Sequence, residues 1–222
     1  MSAHNCVFDR AFGAFLFDMD GTVLNSIAAA ERVWAEWAVR HGVDVATFLP
    51  TIHGARAIDT IRRLNLPGVD AEAQAAFIAQ AEIEDVDGIV EIPGARAFLD
   101  SLPAERWAMV TSAPRDLALR RMAAAGIAAP AVMITAEDVQ VGKPDPAGYL
   151  LAASRLGLEP GDCLIFEDAT VGIQAAEAAG APLMIITTTH QHPIETSHAT
   201  LASYDAINVQ VDSYGKLHLQ KT

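Results

Sequence analysis

The stretch Phe15-Leu16-Phe17-Asp18-Met19-Asp20-Gly21-Thr22 ends an apolar run in two carboxylates one residue apart, followed by a glycine. The apolar run, which begins at Ala14, is long enough for a buried strand. Side chains alternate along a strand, so Asp18 and Asp20 project to the same side if the extended geometry continues to Asp20. Two acids at the carboxyl edge of a sheet are costly without a cation, and Mg²⁺ meets that need. The stretch therefore predicts a metal site at the end of the first strand.

Composition and charge limit the class of protein. A length of 222 residues favours one core domain with a sizeable insertion, and an apolar fraction of 51% is ample for a core. The formal net charge of −13 predicts that the chain binds neither nucleic acid nor anionic membrane surfaces. The first ten residues lack the apolar core of a signal peptide, and no apolar run approaches membrane-spanning length. We therefore expect a cytoplasmic protein, with a monomer as the default state.

The two cysteines, Cys6 and Cys163, have no metal-binding spacing, and Cys163 lies in an apolar run. Reduced thiols are therefore expected rather than a disulfide.

A helical region follows the first strand. Apolar residues recur at three- and four-residue steps over 27–38, and two further helical patterns run through 58–64 and 70–81. The side-chain oxygens of Asn25 and Ser26 are expected to cap the first helix. No convincing strand interrupts the region, so residues 25–91 are predicted to form an inserted all-helical cap domain.

Strand and helix patterns alternate after the insertion. Short apolar runs lie at 107–110, 131–134, 163–166 and 183–186. Helical stretches separate these runs, which is typical of a parallel sheet covered on both faces. The last runs, 209–212 and 216–219, are expected to pair as a hairpin. Residues 1–24 and 92–222 are therefore predicted to form a doubly wound, Rossmann-like α/β core.

Chemically useful side chains follow the predicted strands. They are Asp18 and Asp20 after the first strand, Thr111 and Ser112 after the second, Lys143 after the third, and Glu167 and Asp168 after the fourth. Ligands of open α/β sheets bind at this edge, and acids, hydroxyls and a lysine together can bind a metal and a phosphate. Each feature alone is more often a helix cap or a solvated loop, but their joint occurrence in this order favours a site.

These motifs resemble those of the haloacid dehalogenase superfamily of phosphatases and phosphomutases. Asp18-x-Asp20-Gly21-Thr22 resembles the first motif, Thr111 the second, Lys143-Pro144 the third and Glu167-Asp168 the fourth. The match covers nearly the whole chain, and the insertion resembles the helical cap of the subgroup that contains β-phosphoglucomutase and the sugar and polyol phosphatases. The resemblance, closest to those phosphatases, implies a core in which the first and fourth strands are neighbours.

The resemblance also implies a reaction. Asp18 would attack phosphorus to form an aspartyl-phosphate, and Asp20 would protonate the leaving oxygen and then take a proton from water. The dehalogenases themselves lack the second aspartate, so Asp20 points to phosphate chemistry. The implied function is Mg²⁺-dependent hydrolysis of a small phosphorylated sugar or polyol, such as a hexose phosphate, a hexitol phosphate or glycerol 3-phosphate.

Phosphate and metal contacts are implied in the same way. Thr111, Ser112 and Lys143 would meet the charge on the phosphoryl oxygens, and Gly21 would let the chain pass close to them. Mg²⁺ would be held by the Asp18 carboxylate, the Asp20 carbonyl and Asp168, with Glu167 as a direct or water-bridged neighbour.

Substrate choice is expected to lie in the cap. Arg56, just after a glycine, is a candidate for substrate contact or a surface residue, whereas His53 is expected to be structural. Glu31 is expected near the cavity entrance, and Arg115 is expected to point to solvent. The loop that contains His190, His192 and His198 is expected to be solvated rather than to bind metal.

Two other functions remain open. A phosphomutase similar to β-phosphoglucomutase would use the same Asp18 and Asp20 under a cap that excludes water. However, Ala30 stands where that mutase carries a cap histidine, which argues against it. A non-enzymatic phospho-receiver also gathers acids, a hydroxyl and a lysine around Mg²⁺, but receivers carry no helical cap and order their acids differently.

Overall fold

The structure, a computed structural model, describes residues 7–222. Over that range the strands are β1 (Ala11–Phe12), β2 (Ala14–Phe17), β3 (Leu24–Asn25), β4 (Val90–Glu91), β5 (Trp107–Val110), β6 (Val132–Ile134), β7 (Cys163–Glu167), β8 (Leu183–Ile186), β9 (Ala199–Leu201), β10 (Ile207–Val211) and β11 (Leu217–Lys221). The helices are α1 (Ile27–Arg40), α2 (Val45–Phe48), α3 (Ala57–Leu64), α4 (Ala71–Glu84), α5 (Ala95–Asp100), α6 (Arg115–Ala124), α7 (Ala147–Arg155) and α8 (Thr170–Ala178). Cys163 is a free, buried thiol, and Cys6 lies outside the described residues.

A parallel sheet with the strand order β6-β5-β2-β7-β8-β9 forms the core, as the α/β prediction required. The first and fourth predicted strands, β2 and β7, are neighbours, with Phe17 opposite Phe166. The edge strand β9 was not predicted, because it has three residues and its central Thr200 is exposed. Strands β5 and β6 lie on one side of β2, and β7 to β9 lie on the other. The strand order therefore reverses between β2 and β7.

The side chains of β2 alternate between two buried layers, one on each face of the sheet. Phe15 and Phe17 enter an aromatic cluster in which Phe17 stacks on Phe166 with the ring centroids 4.6 Å apart. Leu16 faces the opposite layer, which contains Tyr149 of α7. Parallel sheets need helices on both faces for this reason.

The cap helices α1 to α4 lie between β3 and β4, which pair antiparallel as a two-stranded ribbon. The ends of the predicted cap, Asn25 and Glu91, lie in this ribbon. Trp34, Trp37, Phe48 and Ile78 belong to a hydrophobic cluster of the cap that is separate from those of the sheet. The short helix α2 was not predicted, because its four residues carry no periodic pattern.

The start of α1 differs from the prediction in one respect. Asn25 accepts a hydrogen bond from the backbone N–H of Ile27, at 3.1 Å. The Ser26 hydroxyl makes no capping bond; it donates instead to Asp20 Oδ1 at 2.5 Å. The expectation of a capping Ser26 side chain is therefore wrong, because the nearby carboxylate competes for the hydroxyl.

The predicted hairpin is confirmed as β10 and β11, and β1 adds a third strand to form a small sheet. Within residues 7–222, every helix is too short or too polar to cross a membrane.

Candidate active site

A tight turn follows β2 and carries Asp20 and Gly21. The backbone N–H groups of Thr22, Val23 and Leu24 all donate to the Met19 carbonyl, at 2.9 to 3.3 Å. Gly21 has a φ of +87°, and a Cβ at this position would lie 2.0 Å from Asp168 Oδ2. Glycine is therefore required both by the turn and by the close approach of Asp168.

Lys143 joins the ends of β2 and β7. Its Nζ donates to Asp18 Oδ1 at 2.5 Å and to Glu167 Oε1 at 2.6 Å. All three side chains are nearly inaccessible to solvent. Burial acts to lower the pKa of Lys143, but Asp18 and Glu167 raise it well above its usual value, so the ammonium stays charged. The Tyr149 hydroxyl also donates to Glu167 Oε1, at 3.1 Å.

Glu167 and Asp168 are held by the start of the segment that leads into α8. Glu167 Oε2 accepts the backbone N–H groups of Asp168 and Ala169, at 2.8 and 2.9 Å. Asp168 Oδ1 accepts the Thr22 hydroxyl at 3.1 Å. Both oxygens of Glu167 are therefore occupied by protein donors, whereas Asp168 keeps an oxygen beside the Gly21 backbone.

Asp18, Glu167 and Asp168 form a site that fits a hard divalent cation. One oxygen of each lies within 4.8 Å of one oxygen of each of the others. Burial raises the pKa of Asp18 to about 7, with Lys143 opposing and Glu167 adding to the rise. Burial, Glu167 and Asp18 raise the pKa of Asp168 well above its ordinary value. Three clustered acids exceed the charge of one lysine, and oxygen ligands of this kind are what Mg²⁺ prefers.

Asp168→Asn provides a test of this cluster. In metal-free protein the variant should melt higher than the wild type, by about 2 °C or more, because an amide avoids burying a carboxylate beside two others. The variant should also lose most of the rise in melting temperature that Mg²⁺ gives the wild type. Calorimetry with chelator and with excess Mg²⁺ measures both quantities. A lower melting temperature in chelator, or an unchanged response to Mg²⁺, would contradict a metal site at Asp168.

A cavity of about 80 Å³ lies between the cap and the carboxyl end of the sheet. Its core side is lined by Asp18, Asp20, Thr111, Ser112 and Arg121, among others, and its cap side includes Ala30, Trp34, Ile52, His53 and Glu82. The hydroxyl of Ser112 donates to the Gly54 carbonyl of the cap at 2.8 Å, and the Thr111 hydroxyl accepts the Ala113 N–H at 3.1 Å. One cavity is therefore lined by cap residues and by the predicted nucleophile, acid and phosphate-binding residues of the first two motifs.

Arg56 does not line this cavity. Its Nε donates to Asp59 at 2.6 Å, and its Nη1 donates to the Val139 carbonyl at 3.2 Å. The side chain packs over Gly142, where an added Cβ would lie 2.6 Å from Arg56 Nε. In this arrangement Arg56 links the cap to the loop that carries Lys143.

Four other residues singled out from the sequence, His53, Arg115, His190 and His198, have protein partners. His53 lines the cavity and contacts Glu31 Oε1 at 3.2 Å. Arg115 pairs with Asp138 at 3.3 Å. His190 Nε2 contacts the Asp168 carbonyl at 2.9 Å, and His198 contacts Glu177 at 2.8 Å. His190 therefore sits directly behind a candidate metal ligand.

Arg121 and Glu82 are site residues that the sequence interpretation missed. Arg121 Nη1 lies 2.9 Å from Asp20 Oδ1, and Nη2 lies 3.1 Å from Glu82 Oε1. A sequence signal exists for each. Arg121 stands beside Met122 on the helix face of Leu117 and Ala118, and Glu82 follows Ile78 by one turn on the buried face of α4. A charged residue at an apolar helix position indicates a buried partner.

This chain is similar in sequence to known hydrolases and phosphatases. A family model described as haloacid dehalogenase-like hydrolase matches residues 12–180. The chain is 38% identical over 211 residues to hexitol phosphatase A of Escherichia coli (strain K12), covering 93% of this chain and 98% of that protein. It is 33% identical to glycerol-1-phosphate phosphohydrolase 2 of Saccharomyces cerevisiae (strain ATCC 204508 / S288c), covering 79% of this chain and 75% of the yeast protein.

A solved structure of a hydrolase from Pseudomonas syringae is similar over 86% of this chain and 94% of that chain, with a TM-score of 0.76 and 26% sequence identity. One family accounts for the motifs at the strand ends, the cap inserted between β3 and β4, and the matches in sequence and structure. The chain belongs to the haloacid dehalogenase-like hydrolases.

Proposed function

We propose that this chain is a Mg²⁺-dependent phosphatase that hydrolyses small phosphorylated sugars or polyols through an aspartyl-phosphate on Asp18. The observation that carries the proposal is the Asp18 carboxylate held by Lys143 at the end of β2, beside Asp168 and at the wall of the cavity under the cap. A nucleophile fixed beside an enclosed phosphate replaces one difficult hydrolysis by two easier displacements.

In the first displacement, an Asp18 oxygen forms a bond to phosphorus as the bond from phosphorus to the sugar or polyol oxygen breaks. Asp20 gives its proton to that leaving oxygen, which departs as an alcohol. Lys143, the Thr111 hydroxyl and the Ser112 N–H meet the charge on the phosphoryl oxygens. Asp18 then carries the phosphoryl group and Asp20 is a carboxylate.

In the second displacement, a water oxygen attacks phosphorus and the bond between phosphorus and Asp18 breaks. Asp20 takes a proton from that water, so both aspartates return to their starting forms and inorganic phosphate leaves. The cap limits bulk water at the first step and admits the attacking water at the second.

Asp18, Asp168 and the Asp20 carbonyl are the groups that would hold Mg²⁺. When bound, the metal supplies positive charge that attracts the phosphate and stabilises charge in the transition state. Both oxygens of Glu167 are hydrogen-bonded, to Lys143, Tyr149 and two backbone N–H groups. We therefore assign Glu167 chiefly to orienting Lys143. A water-bridged contact with the metal is compatible with that role.

Sugar and polyol phosphates are the substrate class that the relatives support. Hexitol phosphatase A matches almost end to end, so a hexitol phosphate is the first candidate. The phosphomutase alternative has less support, because Ala30 lines the cavity where a mutase carries a histidine. Release of phosphate from hexose phosphates without a bisphosphate activator distinguishes the two.

The test is a phosphate-release screen with Mg²⁺ over hexose 6-phosphates, sugar 1-phosphates, hexitol phosphates and glycerol 3-phosphate. We expect turnover of at least one sugar or polyol phosphate, and loss of it in chelator. Interconversion of sugar phosphates without phosphate release would favour the mutase, and retention of phosphate on the protein without turnover would favour a receiver.

Arg56→Ala, screened on the same panel, should lower kcat/KM by a similar factor, about tenfold, for every substrate that is turned over. The reason is that Arg56 contacts Val139 and Asp59 and does not line the cavity, so its loss disturbs the Lys143 loop rather than a substrate contact. The exposed Arg63 of the same helix provides a control variant, Arg63→Ala. A change in the order of preferred substrates would contradict this and restore Arg56 as a substrate contact.

A further inference from the structure

Asp20 is held by a buried chain of charges that reaches the cap. Glu82 on α4 contacts Arg121 on α6, and Arg121 contacts Asp20 in the turn after β2. The Arg121 side chain is 7% exposed and that of Glu82 is 8% exposed. The chain therefore crosses from the cap to the core through the wall of the substrate cavity, which all three residues line.

The two oxygens of Asp20 have different surroundings. Oδ1 accepts the Ser26 hydroxyl at 2.5 Å and lies 2.9 Å from Arg121 Nη1. Within residues 7–222 the structure gives no hydrogen bond to Oδ2. A carboxyl group with two donors on one oxygen has room for a proton only on the other, so Oδ2 is the atom free to serve a leaving group.

The shape of the Arg121 side chain suits this task. Its guanidinium is planar and fixes the directions of its N–H groups, so pairing Nη2 with Glu82 determines where Nη1 meets Asp20. Nε lacks a hydrogen-bond partner in the part of the chain that the structure describes. Buried ion pairs add little net stability, so stability alone is a weak reason to retain this arrangement.

We propose that Arg121, fixed by Glu82, is a positioning residue that holds Asp20 by Oδ1 and so presents Oδ2 to the leaving oxygen. The proposal rests on the proposed function, in which Asp20 is the acid. The alkoxide of a sugar or polyol is a poor leaving group and must be protonated as it departs, whereas 4-nitrophenolate departs without protonation. Loss of positioning therefore has an effect that depends on the leaving group.

The experiment compares a hexitol phosphate with 4-nitrophenyl phosphate in the Mg²⁺-loaded enzyme. Arg121→Met should lower kcat on both substrates unequally: the fold-loss on the hexitol phosphate should be at least about ten times the fold-loss on 4-nitrophenyl phosphate. Asp20→Ala should show the same pattern more strongly, and Arg121→Lys, which keeps charge but not the fork, should fall between wild type and Arg121→Met. KM for the hexitol phosphate should change much less than kcat.

Two further variants separate positioning from folding. Arg121→Met/Glu82→Gln removes the carboxylate that Arg121→Met would leave buried and unpaired, and it should keep the leaving-group pattern. Arg120→Met is the matched control, because the exposed Arg120 also ties α6 to α4, through the Ile83 carbonyl at 3.3 Å. In Arg120→Met, kcat should fall by the same factor on both substrates or should not fall at all.

The failures are distinguishable. Equal losses on both substrates in Arg121→Met and in the double variant, or no loss in either, would overturn the positioning role even if Asp20→Ala shows the pattern. A wild-type enzyme that releases phosphate from neither 4-nitrophenyl phosphate nor any sugar or polyol phosphate of the screen would overturn the proposed function and the positioning role with it. A leaving-group pattern in Arg121→Met that is absent from Arg120→Met supports the proposal.

Discussion

Replacing Asp18 with asparagine is expected to reduce phosphate release by about 10⁴-fold or more, because the amide cannot form the bond to phosphorus. The fold should persist, since an amide is close in shape to the carboxylate and Lys143 keeps Glu167 as a partner. Steady-state assays with saturating hexitol phosphate and Mg²⁺ measure the change.

The control for this variant is Asp100→Asn, at the exposed end of α5, which should retain wild-type activity. Unchanged or higher melting temperature in chelator would show that Asp18→Asn is folded. Phosphate release by Asp18→Asn within tenfold of the wild type would remove Asp18 as the nucleophile.

Lys143→Met is expected to have the next largest effect, a loss of about 10²–10³-fold in kcat. The Lys143 ammonium lies 2.5 Å from an Asp18 oxygen and 2.6 Å from a Glu167 oxygen. Within residues 7–222, no other positively charged group contacts either carboxylate. The variant should also be less stable by about 3 kcal/mol or more, because both acids stay buried without their partner.

Denaturant unfolding with and without Mg²⁺ measures the stability change, and Mg²⁺ should restore part of it by supplying charge to the same acids. Lys216→Met, in the turn between β10 and β11, is the matched control. A Lys143→Met protein with activity near that of the control would show that the charge at Asp18 is met in another way.

The sequence was most informative where packing is simplest. The strands β5 and β8 match the predicted ranges residue for residue, because buried parallel strands appear as short, continuous apolar runs. The neighbouring placement of β2 and β7 came from the resemblance to a family, since apolar runs carry no information on strand order. The short strands β1, β3, β4 and β9 were missed because none of them lies in a continuous run of more than two apolar residues.

The polar contacts of the site were less predictable. Arg121 and Glu82 are far apart in sequence and lie in different domains of the prediction, so only the folded chain brings them to Asp20. Ser26 has a side chain suited to capping, but its hydroxyl serves Asp20 instead. Arg56 follows a glycine turn as a substrate-contacting residue would, yet Asp59 one turn later binds its guanidinium. Local sequence patterns do not specify long-range contacts such as that of Arg121 with Glu82 or that of Arg56 with the Val139 carbonyl.

The residue that carries the phosphoryl group during turnover can be identified directly. Enzyme mixed with a hexitol phosphate and Mg²⁺ is quenched in acid within the first turnovers and digested for peptide mass spectrometry. We expect a phosphoryl group on Asp18, absent from Asp18→Asn and from samples quenched after the substrate is exhausted. Steady phosphate release with the phosphoryl group on another residue would contradict it.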